Sequence, residues 1–331
     1  MTLLLADAPP GVPAAATVMA RVGGENFPVA SRVLPRAARA HLLALYGFAR
    51  LVDELGDADA DERPPDECRP DERRLDERPP DERRPAERLA ALDWLQGELA
   101  GAYAGRAAHP LLVRLQPTLR ACALPRAPFL ALIEANRVDQ RVARYETWEQ
   151  LLGYCALSAN PVGQLVLGVF GKATPERVAL SDRICTALQL AEHWQDVAED
   201  YARGRIYLPA EDRARFGCEE EELASARGDQ LGVRGGERAG ATGSWTTAAS
   251  WRLRGLLAFE VARTRDLLAE GLPLIATLRG RERLAVAAFA GGACAALDAI
   301  EDAGYDVLAG PPRASHARRA AATARLLARV R

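Results

Sequence analysis

Two short stretches place carboxylates four residues apart on segments that are otherwise apolar. In "LYGFARLVDELGD", residues 45–57, they are Asp53 and Asp57, with Arg50 one turn earlier. In "QLAEHWQDVAEDYARGRIYLP", residues 189–209, they are Asp196 and Asp200, with Glu192 one turn before Asp196. On a helix, residues i and i+4 share a face roughly 6 Å apart. Facing water such a pair is ordinary; beside a core it repels itself and needs a counter-charge. Oxygen donors without His or Cys suit Mg²⁺, which keeps waters and binds substrate phosphates alongside one or two carboxylates. The chemistry would then be metal-assisted departure of a diphosphate, with Arg50, Arg203 and Arg205 close enough in sequence to take the remaining phosphate oxygens. Acid pairs also arise on solvated helix faces, and spacing alone leaves both readings open. Glu199 lies about 100° round the helix from the second stripe and is expected to face solvent.

The elements that must carry these residues read as helices. Leu42, Leu45, Tyr46, Ala49 and Val52 recur at helical spacing over 37–57. Further helices are expected over 87–104, 111–122, 127–142, 176–202, 246–278 and 281–303. The apolar run 147–170 should kink or split at Pro161 and Gly163. The 176–202 helix should end at Gly204, with Pro209 beyond. No segment alternates convincingly over six residues, so the fold class is all-α in a single domain. Residues 61–90 repeat with a period of five (DERPP, DECRP, DERRL) and offer almost nothing to bury. They read as a solvated tandem expansion. Residues 224–246 are Gly- and Ser-rich and read as a second loop. Beside the second acid pair, a packing role for His193 competes with proton transfer, and Tyr145 and Tyr154 suit either core or cavity wall.

Composition narrows the function. The chain has 331 residues, a net charge of −2 and aromatics at only 6%. There is no basic field for nucleic acid and little stacking surface, so no nucleic-acid partner is expected. Six scattered cysteines lack CxxC pairs and read as core residues in a reducing compartment. The N-terminal stretch has no basic n-region and is broken by Pro9, Pro10 and Pro13, so it is not read as a signal peptide. "LAVAAFAGGACAALDAI" contains Asp298 and suits a core helix. A cytoplasmic location is expected.

Both acidic stretches, as "FARLVDELGD" and "QDVAEDYARGRIYLP", resemble the two aspartate-rich motifs of the squalene/phytoene synthase family, the head-to-head trans-isoprenyl diphosphate synthases. "ENFPVASRVLP" (25–35), "ARYETWEQLLGYCALSANPVGQLVLGVFG" (143–171) and "GGACAALDAIEDAGYDVL" (291–308) extend the likeness in the family's order. The resemblance implies an isoprenoid synthase helical bundle around a central apolar cavity, spanning 20–310. A disordered insertion at 58–88 would interrupt it, and 1–19 and 311–331 would be tails. "ENFPVASR", "SANPVG" and "HWQDV" before "RGRIYLP" resemble the hydroxysqualene-forming branch of hopanoid biosynthesis. That implies conversion of presqualene diphosphate to hydroxysqualene with loss of diphosphate. Condensation of two farnesyl or geranylgeranyl diphosphates to presqualene diphosphate, squalene or phytoene is the alternative. A non-catalytic isoprenoid-binding protein is a third reading.

Carried over by the resemblance, Asp53, Asp57, Asp196 and Asp200 would hold two or three Mg²⁺, and Arg50 and Arg205 the diphosphate. Phe27, Tyr154 and the bend at Pro161, Val162 and Gly163 would line the cavity. Asp139 and Tyr207 match further polar positions. Glu192 stands where the family usually places a neutral Asn ligand, adding a negative charge beside the metal. Gln195 stands where condensing relatives often carry Arg, which fits a site for one diphosphate. No GxGxxG fingerprint is present, so NADPH is not expected. The apolar substrate and product would favour a peripheral membrane contact and partners within hopanoid biosynthesis, although no anchoring segment supports this directly.

Overall fold

The computed structural model describes residues 8–9, 11–20, 34–56, 80–224 and 249–329. Phe27, Asp57, the repeat over 58–79 and nearly all of the 224–246 loop lie outside the described residues. Among those described, the secondary structure is helical apart from one isolated parallel bridge, Arg144 to Ile206. Contacts group the chain into two compact units, residues 1–141 with 165–173, and residues 142–164 with 174–331.

The first unit holds α1 (Ala15–Ala20), α2 (Arg36–Gly56), α3 (Pro80–Tyr103), α4 (Pro110–Ala121) and α5 (Ala127–Asp139). The apolar stripe of α2 buries Leu42, Leu45, Phe48, Leu51, Val52 and Leu55 against α3, α4 and α5. Phe48 meets Phe129 of α5 edge to face, with ring centroids 5.0 Å apart. Gly56, the last residue of α2, touches Asn136 so closely that a Cβ there would lie 1.9 Å from Oδ1. Gln140 donates to the Gly56 carbonyl at 2.9 Å, satisfying one of the acceptors left at the end of the helix. Thus α5 fixes where the first acidic segment leaves its helix. The α4 N-terminus is satisfied by buried Glu98, which accepts from the backbone N–H groups of Ala108 and His109 at 2.9 and 2.7 Å. Helix α3 begins at Pro80, so the last part of the span assigned to the 58–88 insertion is helical. Proline is tolerated in a first turn because that N–H has no intrahelical partner.

The second unit holds α6 (Trp148–Ser158), the start of α7 (Asn160–Val169), α8 (Pro175–Gln195), α9 (Val197–Ala202) and α10 (Ala210–Phe216). A 3₁₀ turn (Glu220–Leu223), α11 (Trp251–Gly271), α12 (Leu274–Thr277), α13 (Gly280–Asp302) and α14 (His316–Arg329) complete it. The 147–170 run splits at Ala159, as the proline demands. Asn160 next to the break accepts a hydrogen bond from Thr186 of α8 at 2.9 Å. Helix α8 starts on a Thr174 cap with Pro175 in its first turn and packs against α6, α11 and α13. Close approach to α11 is set by Gly271, where a Cβ would meet the Leu180 carbonyl at 2.8 Å and Ile184 Cγ1 at 2.7 Å. The segment assigned to a tail, 311–331, carries α14 instead. It packs on α13 where Gly291 meets the Thr323 backbone, giving the apolar side of α14 a partner.

Gly271→Ala is expected to destabilise the protein by about 1–3 kcal/mol, since the neighbouring atoms include backbone that cannot yield. Gly97→Ala, facing open space on α3, should be neutral or gain about 0.5–1 kcal/mol. Denaturant melts of the two variants side by side check both signs.

Candidate metal and diphosphate site

In the first unit Asp53 is exposed on α2. Arg50 pairs with Glu54 at 3.1 Å. Asp139 is half-buried at the last turn of α5.

The second acidic segment does not lie on one unbroken helix. Helix α8 ends at Gln195 and α9 starts at Val197, with Asp196 between them at φ −101°, ψ 17°. The Asp196 N–H still bonds the Glu192 carbonyl at 3.0 Å, and the Asp200 N–H the Asp196 carbonyl at 2.8 Å. The helical course therefore continues through the irregularity. Glu199 is exposed, as expected, while Glu192, Asp196 and Asp200 are half-buried.

Gly204, at φ 77°, adopts the left-handed conformation that ends α9. The chain then pairs in parallel alongside 143–146. The Ile206 N–H bonds the Ala143 carbonyl at 2.8 Å, and the Ala210 N–H the Tyr145 carbonyl at 2.9 Å. This short pairing delivers Tyr207 to Tyr145, Tyr154 and His193. Tyr207 lies face to face with His193, ring centroids 3.6 Å apart. Tyr145 stacks on Tyr207 at 5.8 Å, and Tyr154 lies 5.5 Å from Tyr145. Arg205 reaches the Tyr207 hydroxyl at 3.4 Å. The platform beneath is packed and hydrogen-bonded. Trp194, fully buried, donates to Thr264 of α11 at 2.9 Å. Arg263 bonds Glu260 at 2.7 Å and Asp212 at 2.6 Å while lying 3.6 Å over the Trp148 ring.

Burial pushes the Asp200 carboxyl up to about 7, and Asp196 adds to this by repulsion, against the pull of Arg203 and Arg205. Asp196 is raised too, first by burial and then by Glu199, with Arg313 and Arg203 opposing. Burial and the nearby Arg205 charge lower His193 to about 3, so its ring is neutral at pH 7. Two carboxylates driven toward protonation in a shared site form a donor set that a divalent cation would stabilise. Among the described residues no three His, Cys, Asp or Glu side chains gather to hold a metal. Carboxylate oxygens are the donor type Mg²⁺ takes, so Asp196 and Asp200 fit it in the mode where water and phosphate oxygens would complete the shell.

Arg313 went unnoticed in the sequence because it lies in no motif and falls in the presumed tail. Gln195 donates its amide to the Pro312 carbonyl, and this contact brings the Arg313 charge to bear on Asp196. Tyr154 is buried within the aromatic cluster; Val162 is 43% exposed on α7. Gly163 sits against Ser181 and Cys185 of α8, where a Cβ would lie within 2.5 Å of both side chains.

A family model described as squalene/phytoene synthase matches residues 20–323. The chain belongs to the squalene/phytoene synthase family. Hydroxysqualene synthase of Rhodopseudomonas palustris is 30% identical over 77% of this chain and 72% of its own length. Hydroxysqualene synthase of Sinorhizobium fredii is 34% identical over 61% of each chain, so the match spans about six-tenths of that relative. The crystal structure of squalene synthase HpnC from Alicyclobacillus acidocaldarius is 38% identical, with a TM-score of 0.68, covering 88% of this chain and 93% of that one. The all-α fold expected from the sequence is thus the fold of this family.

The Asp200 shift carries a pH signature in metal-free protein. Its folded pKa, about 7, lies above the ordinary carboxylate value. Stability from this group is therefore fully present below about pH 4 and is lost as pH rises through 7. Asp200→Asn removes that loss. The variant should gain on the parent protein between pH 5 and pH 8, by on the order of 1–4 kcal/mol, read as the difference in melting temperature at the two pH values.

Proposed function

We propose that this protein catalyses the Mg²⁺-dependent conversion of presqualene diphosphate to hydroxysqualene with release of diphosphate. The observation that carries the reading is the pair of half-buried, mutually repelling carboxylates, Asp196 and Asp200, beside Arg203 and Arg205. Relatives bearing the name hydroxysqualene synthase support the choice of step. In this proposal Asp196 and Asp200 would hold Mg²⁺, with Glu192 as a further oxygen donor, and Asp53 and Asp57 would act as the metal-binding pair of the first motif. The metal supplies neutralisation of charge on the departing diphosphate. Arg205 and Arg50 bind phosphate oxygens as fixed charges. Phe27, Val162 and Gly163 line the apolar chain of the substrate, with Asp139 as a further polar contact.

The carbon–oxygen bond to diphosphate breaks with its electron pair leaving on the diphosphate. Ring faces of Tyr145 and Tyr154 offer quadrupoles to the resulting carbocation, and apolar walls keep bulk water from it. A water oxygen then supplies the pair for the new carbon–oxygen bond, and its proton passes to the medium. No nicotinamide is required because no carbon is reduced. The reading also places the enzyme in the cytoplasm, in peripheral contact with a membrane that supplies its substrate and takes up its product, among the enzymes of hopanoid biosynthesis.

Purified protein with Mg²⁺, offered presqualene diphosphate and farnesyl diphosphate separately, should release diphosphate and form hydroxysqualene from the first only. Asp196→Asn should lower kcat/KM by about 100-fold or more, as expected when a group stabilising charge in the transition state is lost. Turnover of farnesyl diphosphate alone would assign the condensing step instead. No release from either substrate by folded protein would leave the non-catalytic isoprenoid-binding reading.

A further inference from the structure

The metal-and-diphosphate chemistry does not call on His193, yet this side chain is buried among the groups that carry it. Its ring stacks on Tyr207 and lies 6.2 Å from the Tyr154 ring. Gln189, one turn earlier on α8, sets its amide nitrogen 3.3 Å from His193 Nε2. An amide N–H only donates, so Nε2 accepts and the ring proton resides on Nδ1. Nδ1 is the nitrogen that faces Asp200, with Oδ2 3.9 Å away. That separation is too long for a direct hydrogen bond and is one that a shared water can bridge. A small cavity lies at this point, lined by His193, Asp200, Arg205 and Tyr207, with Val197 and Leu208 among its apolar walls. It has room for about one water, and the four polar residues supply the partners a buried water needs.

We propose that His193 is a positioning residue for the metal-binding carboxylate: clamped by Tyr207 and Gln189, it orients Asp200 through Nδ1–H and a single water in this cavity. The inference rests on the reading of Asp200 as a Mg²⁺ ligand. Groups that orient a metal ligand typically matter by 10- to 100-fold in metal affinity. A ring needed only for packing would be replaced by phenylalanine at no such cost. Two substitutions separate the ring from its N–H. His193→Phe keeps a flat ring against Tyr207 and removes the donor. His193→Asn removes the ring and keeps an amide donor near the Nδ1 position.

The test is Mn²⁺ binding by the full-length protein, followed by the electron paramagnetic resonance signal of the free ion, with the metal-free melting temperature measured alongside. His193→Phe should bind Mn²⁺ about tenfold more weakly or worse, with a metal-free melting temperature close to that of the parent protein. His193→Asn should stay within about threefold of the parent affinity, a rescue by the retained donor, although loss of the stack lowers its melting temperature. If Phe does not fold at this position, His193→Ala replaces it in the comparison with Asn. Parent-like Mn²⁺ affinity in the Phe or Ala variant overturns the proposal alone, and so does an equal loss in the Asn variant. Absence of Mn²⁺ binding by the parent protein overturns it together with the metal reading.

Discussion

Two carboxylates one helical turn apart, both drawn partly out of water, repel each other, and much of the second unit serves to hold them there. The cost of holding Asp200 out of water, and secondarily of placing it beside Asp196, is visible in its raised carboxyl. A free helix would relieve it by fraying or by turning the pair to solvent. Here that relief is blocked from beneath. Trp194 is anchored through Thr264 to α11, and Gly271 lets α11 approach α8 to backbone contact. The pair is thus held half-buried on a packed platform rather than released to solvent.

The same platform governs the aromatic cluster. Gly204 turns the chain out of α9 with a backbone conformation that side-chain-bearing residues rarely adopt. The three residues that follow pair with 143–146 and bring Tyr207 onto His193. One glycine and a few backbone hydrogen bonds therefore decide whether four rings meet. Arg205 shares that stretch, so its guanidinium and the Tyr207 hydroxyl arrive together beside Asp200.

Much of this was legible in the sequence. Helical spacing located α2 and α8 because each buries an apolar stripe, and the split at Ala159 followed from the restriction a proline places on its neighbour. The second acidic pair stood out because it borders such a stripe, whereas Asp53 lies on the exposed side of α2. Less visible were features that depend on contact between distant segments. Nothing local marks Gln195 as the partner of Pro312 or Arg313 as a charge acting on Asp196, since that meeting joins residues far apart in the chain. The break at Asp196 was hidden too, because the hydrogen bonds around it keep a helical course. Helix α14 was missed for a different reason: its contact with α13 is built largely from alanines, Ala322 packing with Ala295 and Ala299, and small side chains add little to a hydrophobic pattern.

The Gln195 to Pro312 contact has a further consequence. It ties the residue immediately before Asp196 to the segment that leads into α14, a helix that itself lies flat on α13. The segment that leads into α14 is thereby tied to the second acidic segment. A truncation or bulky fusion that lifted this helix would be felt at Asp196, more than a hundred residues upstream in sequence, through the Gln195 amide hydrogen bond.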